Sequence, residues 1–250
     1  MKINKLITKA KNLRIKTFLA FVQKGEAHLG GSFSMIEILI SLYENIMKKK
    51  DIFVLSKSHA SFPLCILLNE KGFKTKLKTH LELDPKNGIN CTTGSLGHGL
   101  PIATGMAFAK LKKKEKGKVY VLISDGECQE GTTWESLLIA SKHKLSNLVI
   151  LIDYNKIQAL TKLKDGLPLN NLKKKIDAFN CYCINVKDGH SIIQVIKALK
   201  KKNNTNKPKV IIFNTIKGKG IKSFESDPVW HARQLKGNEI AIGKKALGII

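Results

Sequence analysis

The chain has 250 residues, a length that fits one α/β domain with a substantial core. Its 44 Lys and Arg against 19 Asp and Glu give a formal net charge of +25, which favours acidic or phosphorylated partners. The lysines are scattered in short runs at predicted helix ends and loops, with no interleaved aromatic residues and no zinc-finger spacing, so the composition argues against a nucleic-acid-binding function.

Apolar periodicity predicts alternating helices and strands in the first part of the chain. In chain order, the predicted elements are a helix over residues 3–23, a break at 24–27, a loop at 28–32, a helix over 35–47, a strand over 51–55, a helix ending at residue 69 and a polar loop over 76–88. Ser34, followed by Glu37 three residues later, predicts a capping box for the second helix. A glycine-rich loop over 92–100 leads into a helix over 102–111, and its glycines permit close approach of the backbone to a ligand.

The central stretch is the most informative and reads as strand, loop, helix, strand and loop. Strands predicted over 119–123 and 148–152 flank a helix over 134–143, a pattern that indicates a right-handed parallel unit. Both strands then end at the same edge of the sheet, where ligands bind in open α/β sheets. Asp125 follows the first strand and Asn155 the second, and their hard oxygen atoms suit Mg²⁺ or Ca²⁺. Each motif alone is also what an ordinary turn presents, so the prediction depends on the pair.

The last part of the chain continues the alternation. The predicted elements are a helix over 169–179, a strand over 182–186, a helix over 191–202, a strand over 209–215 and a helical tail over 236–250. Lys217-Gly218-Lys219-Gly220 resembles a phosphate loop, but no helix-opening G-x-G-x-x-G follows it, which argues against dinucleotide binding. We predict a single domain over residues 1–250, with 236–250 as a candidate C-terminal docking helix.

The cysteines and the apolar runs bear on the cellular location. The number of cysteines, five, is odd, and no C-x-x-C occurs. We therefore expect neither a disulfide framework nor a zinc site. No apolar run reaches about 18 residues, so no transmembrane helix is expected. The N-terminal segment lacks acidic residues, as transit peptides do, but it forms the first predicted helix of the fold. A reducing, cytoplasmic location fits these features best.

Seven segments, in order, carry a resemblance to a known family. They are HLGGSFSMIEILISLYE from His28, FVLSKSHAS from Phe53, TTGSLGHGLPIATGMAFA from Thr92, SDGECQEGTTWESLLIASKHKLSNLVILIDYNKIQ from Ser124, VKDGHS from Val186, NTIKGKGI from Asn214, and Trp230-His231. These segments resemble those of transketolases, and the chain is identified as a transketolase amino-terminal half or the small subunit of a split transketolase. The resemblance implies a three-layer α/β/α thiamine-diphosphate-binding fold of the α/β class with a mostly parallel central sheet.

The resemblance implies thiamine diphosphate as the cofactor, with Mg²⁺, for which Ca²⁺ or Mn²⁺ would substitute. The implied metal ligands are Asp125, Asn155 and the backbone carbonyl of Ile157, and the amide of Gly126 would bind the diphosphate. The complete set of implied cofactor-binding residues is Gly94, Ser95, Leu96, Gly97, Ser124, Asp125, Gly126, Glu127, Asn155, Ile157, His59 and His231.

The resemblance also implies a set of catalytic residues: His28, His59, His80, His231 and Glu130. The histidines would polarise or deprotonate sugar hydroxyls. Glu130 is matched to a carboxylate at the family's dimer contact, where paired carboxylates share a proton, although at a helix start it also complements the helix dipole. Asp188 is matched as a loop-shaping residue, and His190 as a helix-start residue rather than a catalyst.

Three residues depart from the family pattern. Ser124 replaces the first glycine of the G-D-G signature, and Leu29 replaces a proline of the H-P-G-G-S start. Ser58 replaces the glycine of L-S-K-G-H-A and would be strained if that position requires a positive φ.

The resemblance accounts for only half of an active site, since the glutamate that activates the cofactor lies in a second domain of the family and is not found here. We therefore expect a separate C-terminal transketolase subunit, together with an α₂β₂ assembly in which the heterodimer pairs with its copy, and sugar or sugar-phosphate substrates. The expected reaction is transfer of a two-carbon ketol unit from a ketose to an aldose.

Three alternatives stay open. The first is half of another thiamine-dependent enzyme, such as a 2-oxo-acid dehydrogenase subunit or a deoxyxylulose-phosphate synthase fragment, although Gln129-Glu130-Gly131 and Trp230-His231 favour transketolase. The second is a non-catalytic protein that kept the fold, which the departures at Ser58 and Ser124 support. The third is a basic nucleic-acid-binding protein, for which a steep salt dependence of DNA affinity would be the sign.

Overall fold

One sheet of five parallel strands forms the centre of the computed structural model, which describes residues 2–25 and 28–250. The strands are β1 (Ile52–Leu55), β2 (Val119–Ser124), β3 (Leu148–Tyr154), β4 (Tyr182–Val186) and β5 (Lys209–Asn214), in the spatial order β1-β2-β3-β5-β4. Each neighbouring pair is parallel. The predicted α/β class with a parallel central sheet is confirmed.

Helices pack on both faces of this sheet. The α-helices of the described residues are α1 (Ile3–Lys24), α2 (Leu29–Ser34), α3 (Ile36–Ser41), α4 (Phe62–Glu70), α5 (Gly99–Lys112), α6 (Gly131–Lys142), α7 (Leu172–Ala178), α8 (Ile192–Lys200) and α9 (Gly237–Leu247). Helices α1, α3, α4 and α8 pack together on one face, and α5, α6 and α7 cover the other. None of the helices in the described part of the chain is long and apolar enough to cross a membrane.

Two apolar cores separate the three layers. Along β2, Tyr120 and Leu122 belong to one buried cluster, whereas Val121 and Ile123 belong to the other. This alternation follows from the two-residue period of a strand, which turns successive side chains to opposite faces. Because both faces are covered by helices, the strands are apolar at nearly every position.

The central unit has the predicted topology. Strand β2, helix α6 and strand β3 follow one another, and Ser124 at the end of β2 pairs in register with Asp153 in β3. The loops that carry Asp125 and Asn155 therefore leave the sheet side by side at its carboxyl edge.

The predictions for residues 28–47 are wrong in three respects. The predicted loop is helix α2, and the predicted single helix is α3 followed by a π-helical segment over Leu42–Ile46. Ser34 does not cap a helix, because its hydroxyl donates to Oδ2 of Asp153 at 2.6 Å. Glu37 makes no capping box either, because its buried carboxylate accepts hydrogen bonds from Arg14 and His190. Long-range polar contacts outcompete the local cap here. Residues 26 and 27 of the predicted break lie outside the described residues.

The C-terminal helix α9 offers a test of its packing on α1. A Cβ atom at Gly243 would lie 2.2 Å from the ring of Phe18, whereas nothing lies within 4 Å of a Cβ atom at Gly237. We expect Gly243→Ala to lower the free energy of unfolding by about 1–3 kcal/mol through overpacking. Gly237→Ala should raise it by up to about 1 kcal/mol through helix propensity. Urea unfolding measures both, and equal stability of the two variants would contradict the packing.

Candidate active site

A cavity of about 510 Å³ opens at the carboxyl edge of the sheet, where the loops after β1, β2, β3 and β5 meet. Its size lies within the range of small-molecule sites. The structure brings the following sequence-predicted residues together on its wall: His28, His59, His80, His231, Glu130, Gly94, Leu96, Ser124, Asp125, Gly126, Asn155 and Ile157. Further lining residues that the sequence analysis did not assign are Gly31, Lys57, Gln129, Gln158, Ala159, Leu160, Thr161 and Lys217.

Asp125 is the buried acid of this cavity. Its Oδ2 accepts a hydrogen bond from the N–H of Lys156 at 2.5 Å, and its own N–H donates to the carbonyl of Asp153 at 3.2 Å. Burial, followed by the charge of Asp153, raises the pKa of Asp125 to about 7, because both disfavour the carboxylate form. A cation beside Asp125 would reverse this effect, and such a perturbed acid in a cavity is typical of a binding site.

Asn155 and Ile157 follow β3 and lie at the same edge. Oδ1 of Asn155 accepts the N–H of Ile157 at 3.1 Å, and the Ile157 carbonyl accepts Nζ of Lys217 at 3.2 Å. In the described ranges no group of three or more His, Cys, Asp or Glu side chains is arranged to hold a metal ion. The predicted ligand set contains only one such side chain, Asp125, so a cation there would need oxygen atoms from a bound phosphate and from water.

A buried ion pair lies at the wall of the cavity, to which Lys57 contributes. Lys57 and Asp153 form a salt bridge in which the side chains are 1% and 0% exposed, and Nζ of Lys57 also donates to the carbonyl of Gly31 at 2.9 Å. Asp153 accepts further hydrogen bonds from the hydroxyls of Ser34 and Thr215. Desolvation opposes ionisation of Asp153, but the charge of Lys57 and these hydrogen bonds outweigh it and lower the pKa of Asp153.

Lys217 is the second buried lysine of the site. Its Nζ donates to the carbonyl of Gln158 and to Nδ1 of His231, both at 2.9 Å. Burial, and then the charge of Lys57, lowers the pKa of Lys217 to about 8. The sequence signal for both lysines is their position two or three residues after a strand end, and the Lys-rich composition conceals it.

Three histidines form a cluster over the cavity. Their ring centroids are 5.7 Å apart for His28 and His59, 5.8 Å for His28 and His231, and 5.2 Å for His59 and His231. Burial is the main cause that lowers the pKa of His59 well below its usual value and the pKa of His231 to about 3, with neighbouring lysines contributing. His59 and His231 are therefore neutral at physiological pH and able to accept or donate single protons.

His80 reaches the cavity from the polar loop before α5. Its backbone has a φ of 39°, in the left-handed region that non-glycine residues seldom adopt. Its ring packs on Gly94, where an added Cβ atom would lie 3.0 Å from Cδ2 of His80. The strained backbone holds the imidazole at the mouth of the site, as functional residues often are held.

Three predicted cofactor-binding residues do not line the cavity: Ser95, Gly97 and Glu127. Glu127 is fully buried, and its carboxylate accepts hydrogen bonds from the N–H of Ser124 at 2.8 Å and from the N–H of Gly97 at 3.3 Å. Burial raises the pKa of Glu127. Glu127 thus ties the loop after β2 to the glycine-rich loop. Gly97, with a φ of 76°, packs directly against Glu130 and Thr132.

The departures at Ser124 and Ser58 fit without backbone strain, since neither is among the described residues with a positive φ. The hydroxyl of Ser124 donates to Glu127 at 3.1 Å. The hydroxyl of Ser58 donates to the carbonyl of Thr93 at 2.7 Å, which links the loop after β1 to the glycine-rich loop. The strain considered for Ser58 is absent.

Comparison with known proteins adds independent information. Residues 6–250 match the family described as transketolase, thiamine diphosphate binding domain. An apulose-4-phosphate transketolase subunit of Actinobacillus succinogenes is 35% identical, with 98% of this chain and 96% of that protein covered. A 6-deoxy-6-sulfo-D-fructose transketolase subunit of a Clostridium species is 35% identical over 84% of each chain. The crystal structure of Campylobacter jejuni transketolase superposes with a TM-score of 0.88 at 26% identity, covering 99% of this chain and 43% of that one.

Proposed function

We propose that this chain, which belongs to the transketolase family through its thiamine diphosphate binding domain, is the N-terminal subunit of a split transketolase. It would transfer a two-carbon ketol unit from a ketose phosphate to an aldose. The observation that carries the proposal is the convergence of four histidines and the buried Asp125 on one cavity. Relatives that are named as single transketolase subunits, and that match this chain along most of their own length, support a two-polypeptide enzyme.

The residues at the sheet edge fit thiamine diphosphate with Mg²⁺. Asp125, Asn155 and the Ile157 carbonyl would hold the cation, for which Ca²⁺ or Mn²⁺ would substitute. The open space at Gly126 supports a diphosphate site there. An added Cβ atom would have only the Ser124 hydroxyl within 4 Å, at 3.9 Å. When bound, the cofactor would supply carbanion-stabilising chemistry, and the protein would supply binding, orientation and proton transfer.

The histidines would bind the sugar. Because burial keeps His59 and His231 neutral, His59 would accept a proton from a hydroxyl group or donate a hydrogen bond to one, and His231 would donate a hydrogen bond, each without a charge of its own. The ammonium of Lys217 would fix the ring of His231 by donating to Nδ1, which leaves Nε2 of His231 as the proton donor.

A partner subunit would complete the site. Glu130 lies on the cavity wall at the start of α6, and exposed apolar side chains occur on the loop before α5, on α5 and on α6: Leu96, Ile102, Leu138 and Ile139. Such a surface fits a C-terminal transketolase subunit that carries the activating glutamate. We place the resulting α₂β₂ assembly in the cytoplasm. The phosphorylated substrate in the name of the apulose-4-phosphate transketolase relatives, and the net charge of +25, support sugar phosphates as substrates.

The test is calorimetry on the chain copurified with a C-terminal transketolase subunit from the same organism. We expect thiamine diphosphate to bind tightly to the complex with Mg²⁺ and weakly after chelation with EDTA, and the loaded complex to transfer ketol units between sugar phosphates. The chain alone serves as the control and should bind the cofactor weakly. Absence of binding by a verified complex would contradict the proposal and favour a non-catalytic protein with this fold.

A further inference from the structure

We propose that His190, outside the cavity, is a positioning residue that fixes Lys217 in the site through the main chain of Ile216. This inference rests on the proposed function for its kinetic consequence. His190 follows β4 in the Asp188-Gly189-His190 turn, and its side chain is 9% exposed. It does not line the cavity, and its ring hydrogen bonds go to Glu37 and Ile216, neither of which is assigned to cofactor or substrate.

The hydrogen bonds of His190 define which ring nitrogen carries the proton. The N–H of Ile216 donates to Nε2 of His190 at 2.8 Å, so Nε2 must offer a lone pair. Nδ1 lies 2.9 Å from Oε2 of Glu37, a carboxylate that accepts hydrogen bonds, so Nδ1 must carry the proton. Both nitrogens are thus used in one orientation, and rotation of the ring would break both bonds.

Glu37 is held in turn by Arg14. The guanidinium of Arg14 donates to Oε1 of Glu37 at 2.7 Å and to the carbonyl of Phe33 at 3.3 Å. Side chains of Arg14 and Glu37 are 11% and 8% exposed, so this ion pair is shielded from solvent. Burial opposes ionisation of Glu37, but Arg14 and the hydrogen bond with His190 outweigh it and lower the pKa of Glu37. The imidazole is therefore anchored to the layer formed by α1 and α3.

The segment that follows β5 is fixed at successive residues as it approaches the cavity. The carbonyl of Asn214 accepts the N–H of Gly189 at 2.7 Å, and the N–H of Thr215 donates to the carbonyl of Tyr154 at 3.2 Å. The bond from Ile216 to His190 is the next anchor, immediately before Lys217. Without it, the main chain immediately before Lys217 keeps the bond between Gly189 and Asn214 but loses its anchor to the ring of His190, so we expect Nζ of Lys217 to be held less firmly against His231.

Two variants separate the two bonds of His190. The amide of Gln lies as many bonds from Cβ as Nε2, so His190→Gln keeps an acceptor for Ile216 and gives up the bond to Glu37. The amide of Asn lies as many bonds from Cβ as Nδ1, so His190→Asn keeps a donor for Glu37 and loses the acceptor for the N–H of Ile216.

We expect His190→Asn to lower kcat of the complex about 10- to 100-fold with little change in KM, as a misplaced site residue does. His190→Gln should stay within about threefold of the native enzyme. If His190 served only to donate a hydrogen bond to Glu37, His190→Gln would lower kcat more than His190→Asn. That order of kcat values would overturn the proposal.

Two measurements that need no enzyme activity test the role of His190 independently of the proposed function. In the native complex, ¹⁵N NMR of labelled histidine should find the proton of His190 on Nδ1. Hydrogen exchange at the Ile216 amide should accelerate in His190→Asn and not in His190→Gln, whereas the Ile211 amide in the middle of β5 should be unchanged in both and reports an intact sheet. A proton on Nε2, or equal exchange at Ile216 in all three proteins, would overturn the inference. Failure of ketol transfer in the native complex would instead count against the proposed function alone.

Discussion

Replacement of Asp125 by asparagine is expected to abolish Mg²⁺-dependent binding of thiamine diphosphate and, at the same time, to stabilise the unliganded chain. Cofactor binding is lost because the carboxylate is the only charged group of the proposed metal ligands. Stability rises because the buried Asp125 carboxylate is disfavoured by desolvation and by Asp153, and the amide carries no charge. Calorimetry and urea unfolding measure the two effects, which have opposite signs.

The pH dependence of the free energy of unfolding provides a second test of the predicted effect of Asp125→Asn on stability. The pKa of Asp125 rises from an ordinary 3.8 to about 7 on folding, which corresponds to a cost on the order of 4 kcal/mol for the carboxylate form. Because the folded pKa is the higher one, the stability that the protonated group contributes is complete below about pH 4 and is lost as the pH rises to about 7. The advantage of Asp125→Asn over the native chain should therefore be larger at pH 8 than at pH 5.

A matched control is available at Asp165, whose side chain is 55% exposed. Asp165→Asn should change the free energy of unfolding by no more than about 0.5 kcal/mol at either pH. If Asp125→Asn binds the cofactor with native affinity, Asp125 is not a ligand of the cation.

Replacement of Lys57 by methionine is expected to give the largest loss of stability among the variants described. Methionine fills a similar volume but leaves Asp153 without its cation in a site that solvent does not reach. Removing one partner of a buried ion pair costs about 3–5 kcal/mol. Urea unfolding at pH 8 measures this loss.

The control for Lys57 is Lys222→Met. Lys222 is 95% exposed and lies 3.5 Å from Glu225, so its loss should cost less than about 1 kcal/mol. The double variant Lys57→Met, Asp153→Asn should recover part of the stability lost in Lys57→Met, since it removes the unpaired charge. No recovery would mean that the unpaired Asp153 carboxylate is not the source of the loss, and that the bond from Nζ of Lys57 to the Gly31 carbonyl is the more important contact.

The sequence alone predicts the sheet and the edge that carries the site. Strand β4 has the predicted bounds, Tyr182–Val186, and the central strands end within two residues of their predicted positions, because short apolar runs between polar loops have few alternatives. The positions of Asp125 and Asn155 follow from the parallel topology. Residues 28–47 could not be predicted in the same way, because Ser34 and Glu37 carry a local capping signal but bind groups remote in the sequence.

The same limit applies to the lysines and to His190. In a chain with 44 Lys and Arg, a position just after a strand does not by itself distinguish Lys57 and Lys217 as buried, since burial depends on carbonyls and carboxylates supplied by other segments. His190 is matched by the resemblance as a helix-start residue, and this agrees with the structure, in which Ser191 after it caps α8. Its contacts with Glu37 and Ile216 exist only after α3, β4 and β5 have come together.

The contacts of Asp153 also bear on how the chain folds. Its partners Ser34, Lys57 and Thr215 are separated from it by 119, 96 and 62 residues in sequence. Contacts between residues so far apart in sequence close long loops. Parallel strand pairing, which depends on such contacts, is slow compared with helix formation. We therefore expect these charges to be neutralised late, in the step that completes the sheet.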